Sequence, residues 1–273
     1  MNCLQELKRH YGASEGYALY RMIMEECFGL SHVDILLGKD NLISEENQAC
    51  LSEITERLLK NEPIQYVLGY AKFCGHKFVV KPGVLIPRPE TEELVDLVSS
   101  ITSCFQGAPK VLDIGTGSGC IAVSLALRGC RVSAFDVSEQ ALGIAKENAD
   151  MLNVDIDFVH ENILHPSPSC EKWDIIVSNP PYVCATEAHE MSQNVLQYEP
   201  HIALFVPDAD PLIFYRAIIS FALSHLNSGG HICLEINEAF PEKTCNLLTS
   251  FGFRDAKIIV DRYEKKRFAH AHL

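Results

Sequence analysis

Val111-Leu112-Asp113-Ile114-Gly115-Thr116-Gly117-Ser118-Gly119 runs from apolar residues into three glycines at alternate positions. The apolar part reads as a strand buried on both faces. The glycines let the backbone turn sharply and let a ligand approach closer than a β-carbon would allow. No Gly-Lys-Ser/Thr follows, so this is not a Walker phosphate loop. The nicotinamide fingerprint also fails, because Cys120 stands where its third glycine belongs.

The next apolar run carries Asp136 near its end, about twenty residues beyond Gly115, where an acid can accept hydrogen bonds from both hydroxyls of a ribose. Loop and acid together describe a nucleoside site that makes no pyrophosphate demand. S-adenosylmethionine meets that description: it contains adenosine without phosphate, and its sulfonium and amino cations favour nearby carboxylates such as Asp113. The plainer alternative is a tight turn followed by a helix-capping acid.

Outward from the loop, strands are expected at 111–114, 132–137, 156–159, 174–178 and 231–236, and helices at 119–127, 139–152, 211–226 and 239–251. This alternation predicts an α/β fold, a Rossmann-like, doubly wound and mostly parallel sheet with ligands beyond the carboxyl ends of its strands. Residues 257–260 and 268–273 suggest an edge hairpin. Upstream, Leu19, Met22, Ile23 and Cys27 fall at helical spacing, as do Leu51, Ile54 and Leu58 after a Ser44 N-cap, with Pro63 ending the last helix. The runs 78–80 and 84–86, split by Lys81-Pro82-Gly83, read as a β-hairpin. The expected organisation is a helical domain over 1–75, a hairpin linker over 76–89 and a catalytic domain over 90–273.

The chain has 273 residues, 23 basic against 36 acidic, for a net charge of −13. Hydrophobic residues make up 47%, which suits a globular core and excludes a disordered chain. A nucleic-acid binder would normally carry a basic surface, so direct nucleic-acid binding is not expected. No transmembrane run and no signal-peptide core are present, so a cytoplasmic location without a membrane partner is expected. The eleven cysteines are expected to be reduced thiols. No Cys-x-x-Cys pair occurs and His270 and His272 are the closest histidines, so no metal site is expected.

After the 174–178 strand stands Asn179-Pro180-Pro181-Tyr182. The two prolines lock their own φ and restrict the residues before them, so the corner is stiff. An amide nitrogen has a delocalised lone pair and is a poor nucleophile. The Asn179 side-chain oxygen and the Pro180 carbonyl could hold its two hydrogens, Tyr182 could stack on its plane, and the alignment would make methyl transfer effectively unimolecular. The plainer alternative is a strand terminator with Tyr182 packed in the core.

These motifs, with Glu62-Pro63-Ile64-Gln65-Tyr66-Val67-Leu68-Gly69, Pro87-Arg88-Pro89-Glu90-Thr91 and the weaker Leu234-Glu235-Ile236, resemble the HemK-type protein-(glutamine-N5) methyltransferases. That family modifies the glutamine of the Gly-Gly-Gln motif in peptide chain release factors, acting in translation termination. The resemblance implies a class I S-adenosylmethionine-dependent methyltransferase fold, with S-adenosylhomocysteine as product. Cofactor contacts would fall on Asp113, Gly115, Thr116, Gly117, Ser118, Gly119, Asp136, Asn162, Ile163 and Asn179. Asn179, Pro180 and Tyr182 would be catalytic and, with Pro181, would grip the substrate amide.

Arg88 and Glu90 would line the entrance or form an ion pair, and the helical domain would help a monomeric enzyme recognise its release factor. Three positions depart from the family pattern: Asn162 where an acid is usual, Asn237 in place of a glycine, and Val206-Pro207-Asp208 in place of a glycine-rich turn. Glutamine in a ribosomal protein, adenine N6 in DNA or RNA, and an inactive cofactor-binding scaffold remain as alternatives.

Overall fold

The structure, a computed structural model, describes residues 3–273 and divides into two compact units, each considered by itself. One unit extends to Gly69 and takes in Gln193–Tyr198; the other comprises Tyr70–Ser192 and Glu199–Leu273.

The first unit contains α1 (Cys3–Tyr11), α2 (Ala13–Phe28), α3 (His32–Leu36), α4 (Glu45–Leu59) and α5 (Ile64–Leu68). Leu7, Ile23, Met24, Leu51, Ile54 and Leu58 meet in one core. Gly16 lets α1 and α2 close together, since a Cβ there would lie 2.6 Å from the Leu7 backbone. Ser44 caps α4 by accepting the Asn47 N–H at 3.2 Å, as expected. Pro63, however, does not end a helix. α4 stops at Leu59 and Pro63 is the N-cap of α5, a place where its missing N–H costs nothing. Gln193–Tyr198 returns to this unit, and the Tyr198 hydroxyl donates to the Lys60 carbonyl at 2.9 Å. The unit therefore ends at Gly69 rather than 75, and residues 1 and 2 of the expected domain lie outside the described residues.

The second unit opens with a hairpin of β1 (Tyr70–Phe73) and β2 (His76–Val79). Its two-residue turn is Cys74-Gly75, both at positive φ (47° and 79°), the geometry that matches strand twist. The expected hairpin around Lys81–Gly83 does not form, and residues 84–86 are not a strand. Val84 and Ile86 are buried as their pattern suggested, but a side chain supplies the hydrogen bond a strand would have given: the Ile86 N–H donates to Glu199 Oε2 at 3.0 Å.

The main sheet contains β3 (Lys110–Ile114), β4 (Arg131–Asp136), β5 (Ile156–His160), β6 (Trp173–Ser178), then, after the short parallel pair β7 (Val183–Cys184) and β8 (Phe205–Val206), β9 (Leu226–Glu235), β10 (Arg254–Val260) and β11 (Lys266–His272). Its order is β10-β11-β9-β6-β3-β4-β5. β3, β4, β5, β6 and β9 are parallel, and β11 and β10 add antiparallel. The edge hairpin is present, with β11 inside and β10 outermost.

Helices α6 (Thr91–Thr102), α7 (Cys120–Leu127), α8 (Glu139–Met151), α9 (the Gln193–Tyr198 segment of the helical unit), α10 (Ile213–His225) and α11 (Pro241–Ser250) complete the chain. Strand periodicity divides adjacent residues between two cores: Val111, Ile175 and Val177 pack with Leu94 and Val98 of α6, whereas Leu112 and Ile176 pack with Ile218 and Ile219 of α10. Both sheet faces are covered, which is why the strands read as unbroken apolar runs. β4 lies on one side of β3 and β6 on the other, so the order reverses there and leaves a crevice at the carboxyl ends of β3 and β6. No described helix is long and apolar enough to cross a membrane, and all eleven cysteines are free thiols.

Candidate active site

At that crevice lies a cleft of about 270 Å³, the scale of a small-molecule site, and its walls come from the ends of β3, β4, β5 and β6. Gly115 and Gly117 lie on the wall at φ 75° and 56°, and a Cβ at either would meet no protein atom within 4 Å. Backbone strain therefore demands glycine, and the space above the loop is left for a ligand. The loop is tied to the next strand: the N–H groups of Gly115 and Thr116 both donate to the Phe135 carbonyl, at 2.8 and 3.0 Å.

Asp136 lines the cleft and accepts the Gly117 N–H (2.8 Å) on one oxygen and the Ser138 N–H (2.9 Å) on the other. Each oxygen keeps a second lone pair. Burial raises its pKa. Asp113, fully buried beneath the loop, accepts the Thr116 hydroxyl at 2.7 Å on Oδ2, while Oδ1 meets no hydrogen-bond donor among the described residues. Burial, opposed by the Thr116 bond, pushes its pKa up to about 7. A nucleoside ligand with cationic groups fits these acceptors: Asp136 on the cleft wall with lone pairs to spare, and Asp113 buried behind a loop whose glycines leave room.

The structure brings Gly115, Gly117, Asp136, Asn162, Ile163, Asn179, Pro180 and Pro181 onto one cleft wall. Asp113, Thr116, Ser118, Gly119 and Tyr182 are not on that wall. Gly119 instead fits against α8, where a Cβ would come 3.0 Å from Ala145 Cβ. Asn162 accepts the Leu164 N–H on Oδ1 at 3.0 Å.

Ser178 anchors the proline corner by donating to the Ile114 carbonyl at 2.6 Å. Tyr182 turns its ring to the α10 side core and donates its hydroxyl to Glu235 Oε1 at 3.1 Å, and burial raises its pKa. Arg88 is ion-paired at 2.6 Å with buried Glu199 rather than with Glu90, and half-buried Glu90 is instead the N-cap residue of α6. His270 contacts His231 (3.0 Å) and His272 pairs with Asp255 (2.9 Å). Among the described residues no group of three or more His, Cys, Asp or Glu is placed to hold a metal ion.

Two neighbours of the corner had no assigned role in the sequence reading. Glu235, 1% exposed at the end of β9, accepts both the Tyr182 hydroxyl and, at 2.8 Å, that of Thr91. Burial pushes its pKa up to about 7, against the Thr91 bond and the Arg267 charge. An acid inside the apolar run Ile232–Ile236 was the available signal; Thr91 offered none beyond its motif.

Residues 93–199 match the family described as Methyltransferase small domain, and residues 2–69 match the PrmC N-terminal domain. The release factor glutamine methyltransferase of Bacteroides thetaiotaomicron is 45% identical over 271 residues, covering 98% of this chain and 96% of its own. The chain belongs to the release factor glutamine methyltransferase family. It is therefore an S-adenosylmethionine-dependent methyltransferase. Its relative in Flavobacterium psychrophilum is 40% identical over 268 residues, or 97% of this chain and 94% of the relative. A solved methyltransferase from Pyrococcus furiosus shares the fold, at TM-score 0.53 and 20% identity over 81% of this chain and 98% of that one.

Two departures from the family pattern have structural partners. Asn237 donates to the Tyr182 carbonyl at 2.9 Å and to Glu187 Oε2 at 3.1 Å, bracing the corner. Asp208 of the Val206-Pro207-Asp208 turn accepts the Thr186 N–H at 3.2 Å.

Proposed function

We propose that this enzyme methylates the side-chain amide nitrogen of the glutamine in the Gly-Gly-Gln motif of peptide chain release factors, in the cytosol, as part of translation termination. The observation that carries this reading is that Asn179, Pro180 and Pro181 share a cleft wall with Gly115, Gly117 and Asp136. Amide grip and cofactor site thereby face the same volume.

S-adenosylmethionine supplies a methyl group activated by its sulfonium. Asp136 would hold the ribose hydroxyls, Asn162 and Ile163 would border the adenine, and Asp113 would favour the cationic end from below the loop. Asn179 Oδ1 and the Pro180 carbonyl would accept the two hydrogens of the glutamine amide, turning its nitrogen toward the methyl. Orientation, rather than an added nucleophile, then lowers the barrier, and the two oxygens stabilise the positive charge that grows on nitrogen as the methyl would leave sulfur, with one amide hydrogen lost afterwards as a proton to solvent. Tyr182 would act from behind the wall by fixing the corner.

The test is incubation of the purified enzyme with labelled S-adenosylmethionine and either a release factor or nucleic acid, followed by mass spectrometry. Label on the Gly-Gly-Gln glutamine is expected. Label on adenine, or on a ribosomal protein while release factors stay unmodified, would overturn the substrate assignment.

A further inference from the structure

We infer that Thr91 is a positioning residue, whose hydroxyl, held by Glu235, decides which end of the Asn179 amide is presented to the substrate. The inference rests on the proposed role of Asn179 as an acceptor for the glutamine amide. A primary amide has an oxygen that accepts and an NH₂ that donates, on a nearly symmetrical outline. A site that uses the oxygen must therefore disfavour the reversed rotamer.

The chain of donors around Thr91 makes that choice. Above its raised pKa Glu235 is ionised and only accepts, and its two oxygens take the hydroxyls of Thr91 (2.8 Å) and Tyr182 (3.1 Å). The single hydroxyl hydrogen of Thr91 is thus committed to Glu235. Only lone pairs remain on Thr91 Oγ1, and Asn179 Nδ2 donates to them at 3.3 Å. Oδ1 of Asn179 is left facing away from Thr91, free for a substrate. Reversing the amide would set two acceptors against each other and present NH₂ groups to NH₂ groups. Thr91 and Glu235 are 2% and 1% exposed, so water is not at hand to relieve that clash. The same buried acid also fixes Tyr182, so both polar side chains of the corner are referred to one carboxylate.

Thr91→Val preserves shape and removes the hydroxyl; Thr91→Ser keeps it. With release factor as substrate at about pH 8, where Glu235 is ionised, Thr91→Val is expected to lower kcat about 10-fold or more. KM for the release factor and the cofactor Kd by calorimetry should stay within about 3-fold. Thr91→Ser should recover kcat to within about 3-fold of the unaltered enzyme. If Thr91→Val does not fold, Thr91→Ala, which also removes the hydroxyl, decides by the same measurements.

A kcat within 2-fold for Thr91→Val, a loss expressed as weaker cofactor binding, or a loss that serine does not recover would each overturn the inference. Failure of the unaltered enzyme to label the glutamine overturns the substrate reading itself, so the two failures are distinguishable.

Discussion

The glycine loop and the proline corner leave neighbouring strands of one sheet, yet they are held in different ways. The loop's partners are close in sequence: Thr116 with Asp113, three residues apart, and Gly117 with Asp136, nineteen apart. The corner's partners are remote: Asn179 with Thr91 across 88 residues, Ser178 with Ile114 across 64, Tyr182 with Glu235 across 53. A binding surface made mainly of backbone can be specified by a short motif. A surface that depends on how one amide is turned needs side chains that only the completed fold supplies.

Removing the reacting end of the corner should have the largest effect. Asn179→Ala is expected to cut kcat by about 10³-fold, as loss of a transition-state hydrogen-bonding group does, while the thermal midpoint stays nearly unchanged. A smaller loss measured in single-turnover methyl transfer would show that the corner does not act through Asn179. On the loop side, Asp136→Ala should raise the cofactor Kd by about 10²-fold, because it removes an acceptor that both shapes the loop and faces the cleft. If kcat at saturating cofactor falls as far as Kd rises, loop and corner are not separable.

The buried acids give a pH signature. Glu235 is raised from 4.5 to about 7 and Asp113 from 3.8 to about 7, chiefly by burial. The folded state therefore binds more protons than the unfolded state between roughly pH 4.5 and 7, and stability falls as pH rises through that window, then levels off above it. Thr91 and Tyr182 donate to Glu235, Arg267 attracts its charge and Glu90 repels it, all opposing or adding to the burial penalty. Urea unfolding across pH 4.5–8 should show this decline, with Glu235→Gln flattening it by about 3 kcal/mol. An unchanged slope would place the titration on Asp113 and so on the loop side. The smallest effect expected is for Asn237→Gly, which removes the brace on the Tyr182 carbonyl: about 1 kcal/mol of stability by denaturant melt, with cofactor Kd unaffected.

The strands, the major helices and the cleft-wall residues of the loop were legible because apolar runs and glycine spacing act locally. The hairpin was misplaced because Lys81-Pro82-Gly83 offered stronger turn chemistry than Cys74-Gly75, and only Glu199, distant in sequence, shows why residues 84–86 need no strand partner. Arg88 was ambiguous until the position of that same glutamate was known. Tyr182 looked like a stacking surface, and its hydroxyl proves to be committed to an acid behind the wall.

The sequence alone determined the doubly wound sheet, the glycine loop with an acid on the next strand, and the rigid corner, because periodicity, glycine freedom and proline restriction are properties of short segments. Tertiary structure alone decided which way the corner's side chains are turned. Hydrogen-bond direction around Asn179 follows from Thr91 and Glu235, which belong to other elements of the unit and meet Asn179 and Tyr182 only when the sheet and its helices close.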